Sequence, residues 1–193
     1  IESNQIIKNS PTYWGNQPFV EAPAYLGIVV FFLFVFSVFL YRGNHRGWLL
    51  ASIIVSLLLS FGKNFSLLTD FFIDYFPIYD KFRAVSSIQV ILELCVPILS
   101  VLGLSKLISG EIEYKSKLRA LNYTAILFFS ILSTLFLFKG YLPYSGVSDQ
   151  YMDDTIVEAL ISDRKNIFVY QLQRTLFFVS IAYLIIFLYL KSK

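Results

Sequence analysis

Residues 25–41 read YLGIVVFFLFVFSVFLY. No charged side chain interrupts the stretch, and phenylalanine, valine and leucine fill most of it. The hydrocarbon core of a bilayer is about 30 Å thick, so a helix needs roughly 20 mostly apolar residues to cross it. Such a segment reads as a membrane span. Moving outward, four more apolar runs follow at 48–61, 85–107, 120–138 and 175–190. The run at 48–61 is slightly short and needs its flanking residues to help it cross. The spacing predicts an all-α, polytopic transmembrane bundle of about five spans, forming one membrane domain over 1–193.

Composition points the same way. Hydrophobic residues make up 56% of the chain and mean hydropathy is +0.65, against about 45–50% apolar for soluble domains. Charged residues are 15%, where roughly 25% is usual. The single cysteine, Cys95, excludes an intrachain disulfide and a thiolate metal site. The single histidine, His45, excludes a histidine-cluster metal centre. A net charge of +3, spread along the chain, does not read as nucleic-acid binding. The expected partner is a lipid bilayer, with other membrane or envelope proteins as further candidates. The first residues, IESNQIIKNS, carry no initiator methionine or signal peptide, and the expectation is a piece of a longer chain.

Residues 1–24 are expected to form an external loop, folded back by Pro11, Gly15, Pro18 and Pro23. Tyr13 and Trp14 suit the headgroup level. The Lys and Arg count ties across the two sides of the membrane, but the 42–47 and 108–119 connections are shorter and so denser in positive charge. By the positive-inside rule these face the cytoplasm. The N-terminal segment and the 62–84 and 139–173 segments are then external.

The 62–87 stretch, GKNFSLLTDFFIDYFPIYDKFRAVSS, places three aspartates, three basic residues and seven aromatic rings between two spans. Ser66, Asp70 and Asp74 fall at i, i+4, i+8 and share one helix face. Ser66 can cap the start and Pro77 blocks continuation. The reading is a short interfacial helix, with carboxylates toward water and rings in lipid or protein. Arg83 comes just before the third span, where helix-end amides already favour an anion. Together with Lys81 and Lys63 it can hold a lipid phosphate; alternatively, the three only snorkel to the headgroups. Within the third span, Glu93 and Gln89 lie one turn apart, and Pro97 leaves the Glu93 carbonyl without its helical donor. Glu93 and Gln89, with Asp70 and Asp74, are candidates for a polar cavity. The competing reading is a hydrogen-bonded Glu93 that joins helices, and a solvated face for the two aspartates.

In the 139–173 segment the acids Asp149, Asp153, Asp154 and Glu158 can in principle hold Mg²⁺ or Mn²⁺. Their spacing fits no specific metal motif, and solvated loop charges are the plainer account. From Asp154 the pattern becomes periodic, with Val157, Leu160, Ile161, Ile167, Phe168 and Leu172 apolar. The spacing predicts a helix that runs on into the fifth span.

Three strings, SPTYWGNQPFVEAPAYLG, SFGKNFSLLTDFFIDYFPIYDKFRAVSS and ALISDRKNIF, together resemble the YfhO family of bacterial integral membrane proteins, in its Bacteroidetes-type form. The similarity spans nearly the whole chain. The resemblance implies a protein akin to GT-C-type glycosyltransferases, in the bacterial inner membrane, with a polyprenyl-phosphate-linked sugar as donor. It further implies a middle to C-terminal portion of a longer enzyme, whose catalytic acidic residue lies upstream and outside these residues. Arg83 matches the basic position of the family's FR element before a span, which implies donor binding there. Two rivals stand beside the glycosyltransferase reading. One is a transporter or flippase gated by Glu93, Gln89 and the third span; the other is a non-catalytic subunit of an envelope complex.

Overall fold

The computed structural model describes residue 14, residues 25–77, residue 79 and residues 85–192. Six α-helices lie among these residues. They are α1 (Ile28–Leu40), α2 (Arg46–Ser60), α3 (Ser66–Tyr75), α4 (Gln89–Ile108), α5 (Tyr114–Phe138) and α6 (Asp154–Ser192). Short 3₁₀ turns occupy Gly62–Phe65, Val85–Ile88 and Val147–Tyr151. No strand occurs among the described residues.

Three of the helices, α4, α5 and α6, are long and apolar enough to cross a membrane. The expected count of five is not met by helix length. The segment expected at 25–41 contains α1, and that expected at 48–61 overlaps α2, which starts two residues earlier; they have 13 and 15 residues, about 20 and 22 Å at a rise of about 1.5 Å per residue. The reason lies at their ends. Tyr41 is extended, which ends α1, and its N–H closes the last turn on the Ser37 carbonyl. Gly62 takes a positive φ of 50° after α2, the left-handed conformation that glycine adopts without a Cβ penalty just past a helix.

The chain divides into two compact units, Ala22–Ile126 with Val179–Lys193, and Ile1–Glu21 with Leu127–Phe178. In the first unit α1 and α2 pack on α4. Tyr41, Leu49, Ile53, Leu92, Cys95, Val96 and Leu99 form a buried cluster there. The α1–α4 crossing is close because small residues meet. A Cβ placed on Gly103 would lie 2.8 Å from the Ser37 Cα, and closer still to the Ser37 side chain. The Ser37 hydroxyl donates to Leu33 O at 2.7 Å and reaches Ser100 O at 3.3 Å, while the Ser100 hydroxyl contacts Val30 O at 3.1 Å. Small residues and hydroxyls at a crossing are how helices associate in lipid, where apolar burial supplies little drive.

The end of α4 is closed by α5. Lys117 is buried, and its ammonium donates to Leu107 O at 2.7 Å and Ser109 O at 2.8 Å. A cation on the last carbonyls satisfies orphaned acceptors and suits the negative end of the helix dipole.

A short helix forms within the 62–86 stretch, where one was expected, but starts differently. Ser66 is the first residue of α3 and not its cap; Phe65 precedes it without a capping side chain. The chain arrives through the 3₁₀ turn Gly62–Phe65, so the start of α3 abuts a preceding helical turn. Thr69 instead ties the junction, donating to Gly62 O at 2.9 Å and reaching Phe65 O at 3.2 Å. α3 closes with Phe76 N–H on Phe72 O, one residue before Pro77. Phe72 and Phe76 stack at 4.4 Å, and Phe71 lies 5.1 Å from Tyr75.

Candidate functional site

The most densely bonded element lies in the second unit, around Arg164. Leu160, Arg164 and Phe168 follow one another at four-residue spacing on α6, so one face carries all three. The helix is continuous from Asp154 through Ser192, as the periodicity of the sequence indicates. Arg164 is 1% exposed. Its Nη1 donates to Asp149 Oδ2 at 2.7 Å and to the Tyr144 carbonyl at 2.9 Å, and its Nη2 donates to Asp149 Oδ1 at 2.8 Å. This is a bidentate, charge-assisted pair, the strong form of such contacts.

The loop before α6 is shaped to deliver these acceptors. Asp149 stands in the Val147–Tyr151 3₁₀ turn, and its Oδ2 also accepts the Gly146 N–H at 2.7 Å. Tyr144 has φ 46°, a conformation that non-glycine residues occupy at a cost. Its hydroxyl donates to Lys139 O at 2.7 Å. Its ring lies 5.9 Å from Phe168 and 5.1 Å from Trp14, and Trp14 approaches Phe168 edge-on at 6.3 Å. Three rings and one ion pair thus surround the Tyr144 turn. The Arg164 hydrogen bonds hold the Asp149 carboxyl below the ordinary value of 3.8; partial burial opposes them, and the Gly146 N–H and the Arg164 charge assist. Burial pushes the Tyr144 phenol above its ordinary 10.0.

The expected phosphate-binding residues Arg83 and Lys81, and the side chain of Lys63, lie outside the described residues. Asp70 and Asp74 are exposed on α3. Gln89 opens α4 and is half-buried. Glu93 accepts the Tyr25 backbone N–H at 3.0 Å, which ties α4 to the residues leading into α1. α4 stays helical through Pro97. Of the acids between 149 and 158, Asp149 is engaged by Arg164, while Asp153, Asp154 and Glu158 are exposed. Among the described residues no group of three His, Cys, Asp or Glu side chains is placed to hold a metal ion.

The sequence reading did not single out Arg164 or Tyr144, and it read Asp149 only as one acid in a cluster. Asp149 and Arg164 are 15 positions apart on different elements, so no helical or strand period links them. The one available signal is that Arg164 and Phe168 fall in the ALISDRKNIF string and Trp14 in the YWGNQPF string. Compared with known protein families, curated proteins and solved structures, the chain matches none.

Proposed function

We propose that this chain is the membrane component of a GT-C-like glycosyltransferase of the YfhO type, handling a polyprenyl-phosphate-linked sugar in the bacterial cell envelope. In this reading it crosses the inner membrane five times, with α1 and α2 completed by their flanking residues and the N-terminal segment outside. Arg83, Lys81 and Lys63 meet the lipid phosphate, where charge builds as the glycosidic bond breaks, and fixed cations stabilise that charge. The aromatic rings of α3 face the lipid chain beside them.

The observation that supports this reading is the meeting of Trp14 with Tyr144 and Phe168. Two of the three strings behind the resemblance, more than 100 residues apart in sequence, converge on one loop locked by a buried ion pair.

The test compares envelope glycans by mass spectrometry in a deletion strain and in strains carrying Arg83→Ala or Glu93→Gln at matched expression. Loss of a sugar on deletion, reproduced by Arg83→Ala, is the expected result. Unchanged glycans in the deletion strain defeat the reading and turn attention to partner proteins.

A further inference from the structure

A cavity of about 630 Å³ opens where the ends of α1 and α4 meet the start of α5. Arg42, Lys106 and Arg119 line it, and Glu111 is the one carboxylate among the described lining residues. Glu111 is already paired with Lys106, and the neighbouring Lys117 is turned away onto the α4 carbonyls. The positive charge of Arg42 and Arg119 is therefore not matched within the cavity. Ser116 adds a hydroxyl donor beside them. The remaining wall is apolar. Phe39 and Tyr123 stand 5.9 Å apart, with Leu40 and Ala120 beside them. Phe39 is 38% exposed and Tyr123 52%, so this wall is open to whatever surrounds the helices. Two guanidiniums next to an open aromatic face fit an amphiphile with an anionic head. Arginine forks suit phosphate oxygens, and basic pockets between spans on the cytoplasmic side suit anionic headgroups.

We propose that this cavity binds the phosphate headgroup of an anionic phospholipid, with the Phe39–Tyr123 wall against its acyl chain. The inference rests on the membrane-spanning reading, not on glycosyl transfer. It also differs from the donor site in using the opposite end of the spans.

Native mass spectrometry of the whole protein, taken from nanodiscs of phosphatidylcholine with a small fraction of phosphatidylglycerol, tests it. The wild type should retain phosphatidylglycerol, and so should Lys115→Gln, a change at an exposed basic residue outside the cavity. The double variant Arg42→Gln/Arg119→Gln should bind it about thirtyfold more weakly, the scale set by two basic residues at an anionic surface. Equal retention in the double variant overturns the proposal. Displacement by millimolar inorganic phosphate overturns the lipid assignment in favour of a free-phosphate site. A photoactivatable phosphatidylglycerol on the wild type needs no folded variant: crosslinks should fall within 39–43 and 116–123, and crosslinks confined elsewhere defeat the idea. Envelope glycans are a separate readout, so a failure here leaves the glycosyltransferase reading standing, and the reverse also holds.

Discussion

Arg164 and Asp149 meet as a two-pronged pair, Nη1 to Oδ2 at 2.7 Å and Nη2 to Oδ1 at 2.8 Å, with Arg164 side-chain exposure 0% and Asp149 8%. One prong also holds the Tyr144 carbonyl at its left-handed turn. Removing Asp149 strands a fully buried guanidinium, and removing Arg164 strands a largely covered carboxylate. Arg164→Ala and Asp149→Ala should each destabilise the loop by about 3–5 kcal/mol. Arg164→Lys should recover only part of this, because an ammonium cannot hold both carboxylate oxygens and the carbonyl in the fork geometry. Limited proteolysis between residues 139 and 153 measures the effect directly. A loop as resistant in Arg164→Ala as in wild type would show that the pair does not hold it.

The same pair sets a pH dependence. The Asp149 carboxyl is held below 3.8 in the folded loop, mainly by the Arg164 hydrogen bonds. A depressed acid contributes stability above its unfolded value and loses it as pH falls through the folded value. Tyr144 behaves oppositely: its raised phenol keeps its contribution below 10.0 and loses it as pH climbs through the folded value. Proteolytic protection of the loop should therefore be flat across the neutral range. It should fall only below the ordinary carboxylate range and again above that of a free tyrosine. Asp149→Asn should abolish the acid limb and leave the alkaline one.

Gly103 and Ser37 predict a second structural sensitivity. Gly103→Ala places a methyl 2.8 Å from the Ser37 Cα, closer than any backbone tolerates, so α1 and α4 must separate. Overpacking of this kind costs about 1–3 kcal/mol. Ser37→Ala, by contrast, removes only a hydroxyl bonded within its own turn and at long range to Ser100. Thermal unfolding in detergent should show a clear drop for Gly103→Ala and a small one for Ser37→Ala. The opposite order would mean that hydroxyl bonding, not closeness, holds the crossing.

What could be read from the sequence follows the range of each interaction. Hydrophobic runs and the 3.6 period are local, so the all-helical class, the short α3 and the passage of α6 out of the polar segment are legible in it. Helix ends are less so. Whether Tyr41 turns extended or Gly62 goes left-handed depends on a single dihedral, and those dihedrals bring α1 and α2 below spanning length. The Arg164–Asp149 pair and the Tyr144 turn are set by tertiary packing between a loop and a helix, for which a lone sequence holds no period. Lys117 is similar: in sequence it is one more inner basic residue, and only the position of the α4 terminus turns it into a cap.

Glu93 separates two accounts of the polar residues on α4. Its Oε1 accepts the Tyr25 N–H at 3.0 Å, so a carboxylate or an amide oxygen can fill the same place. If the residue only joins helices, Glu93→Gln keeps an acceptor and should leave stability and activity close to wild type. Glu93→Ala leaves the exposed Tyr25 N–H without its acceptor and should cost about 1 kcal/mol. A proton path or an ion gate needs the ionisable group itself, because an amide cannot exchange a proton under these conditions. In that case Glu93→Gln would fold normally yet lose function. Melting in detergent, run beside the glycan profile for both variants, decides it: parallel tolerance of Gln and damage by Ala assigns Glu93 to the joint between α4 and the residues before α1, whereas a folded but inactive Glu93→Gln assigns it to transport.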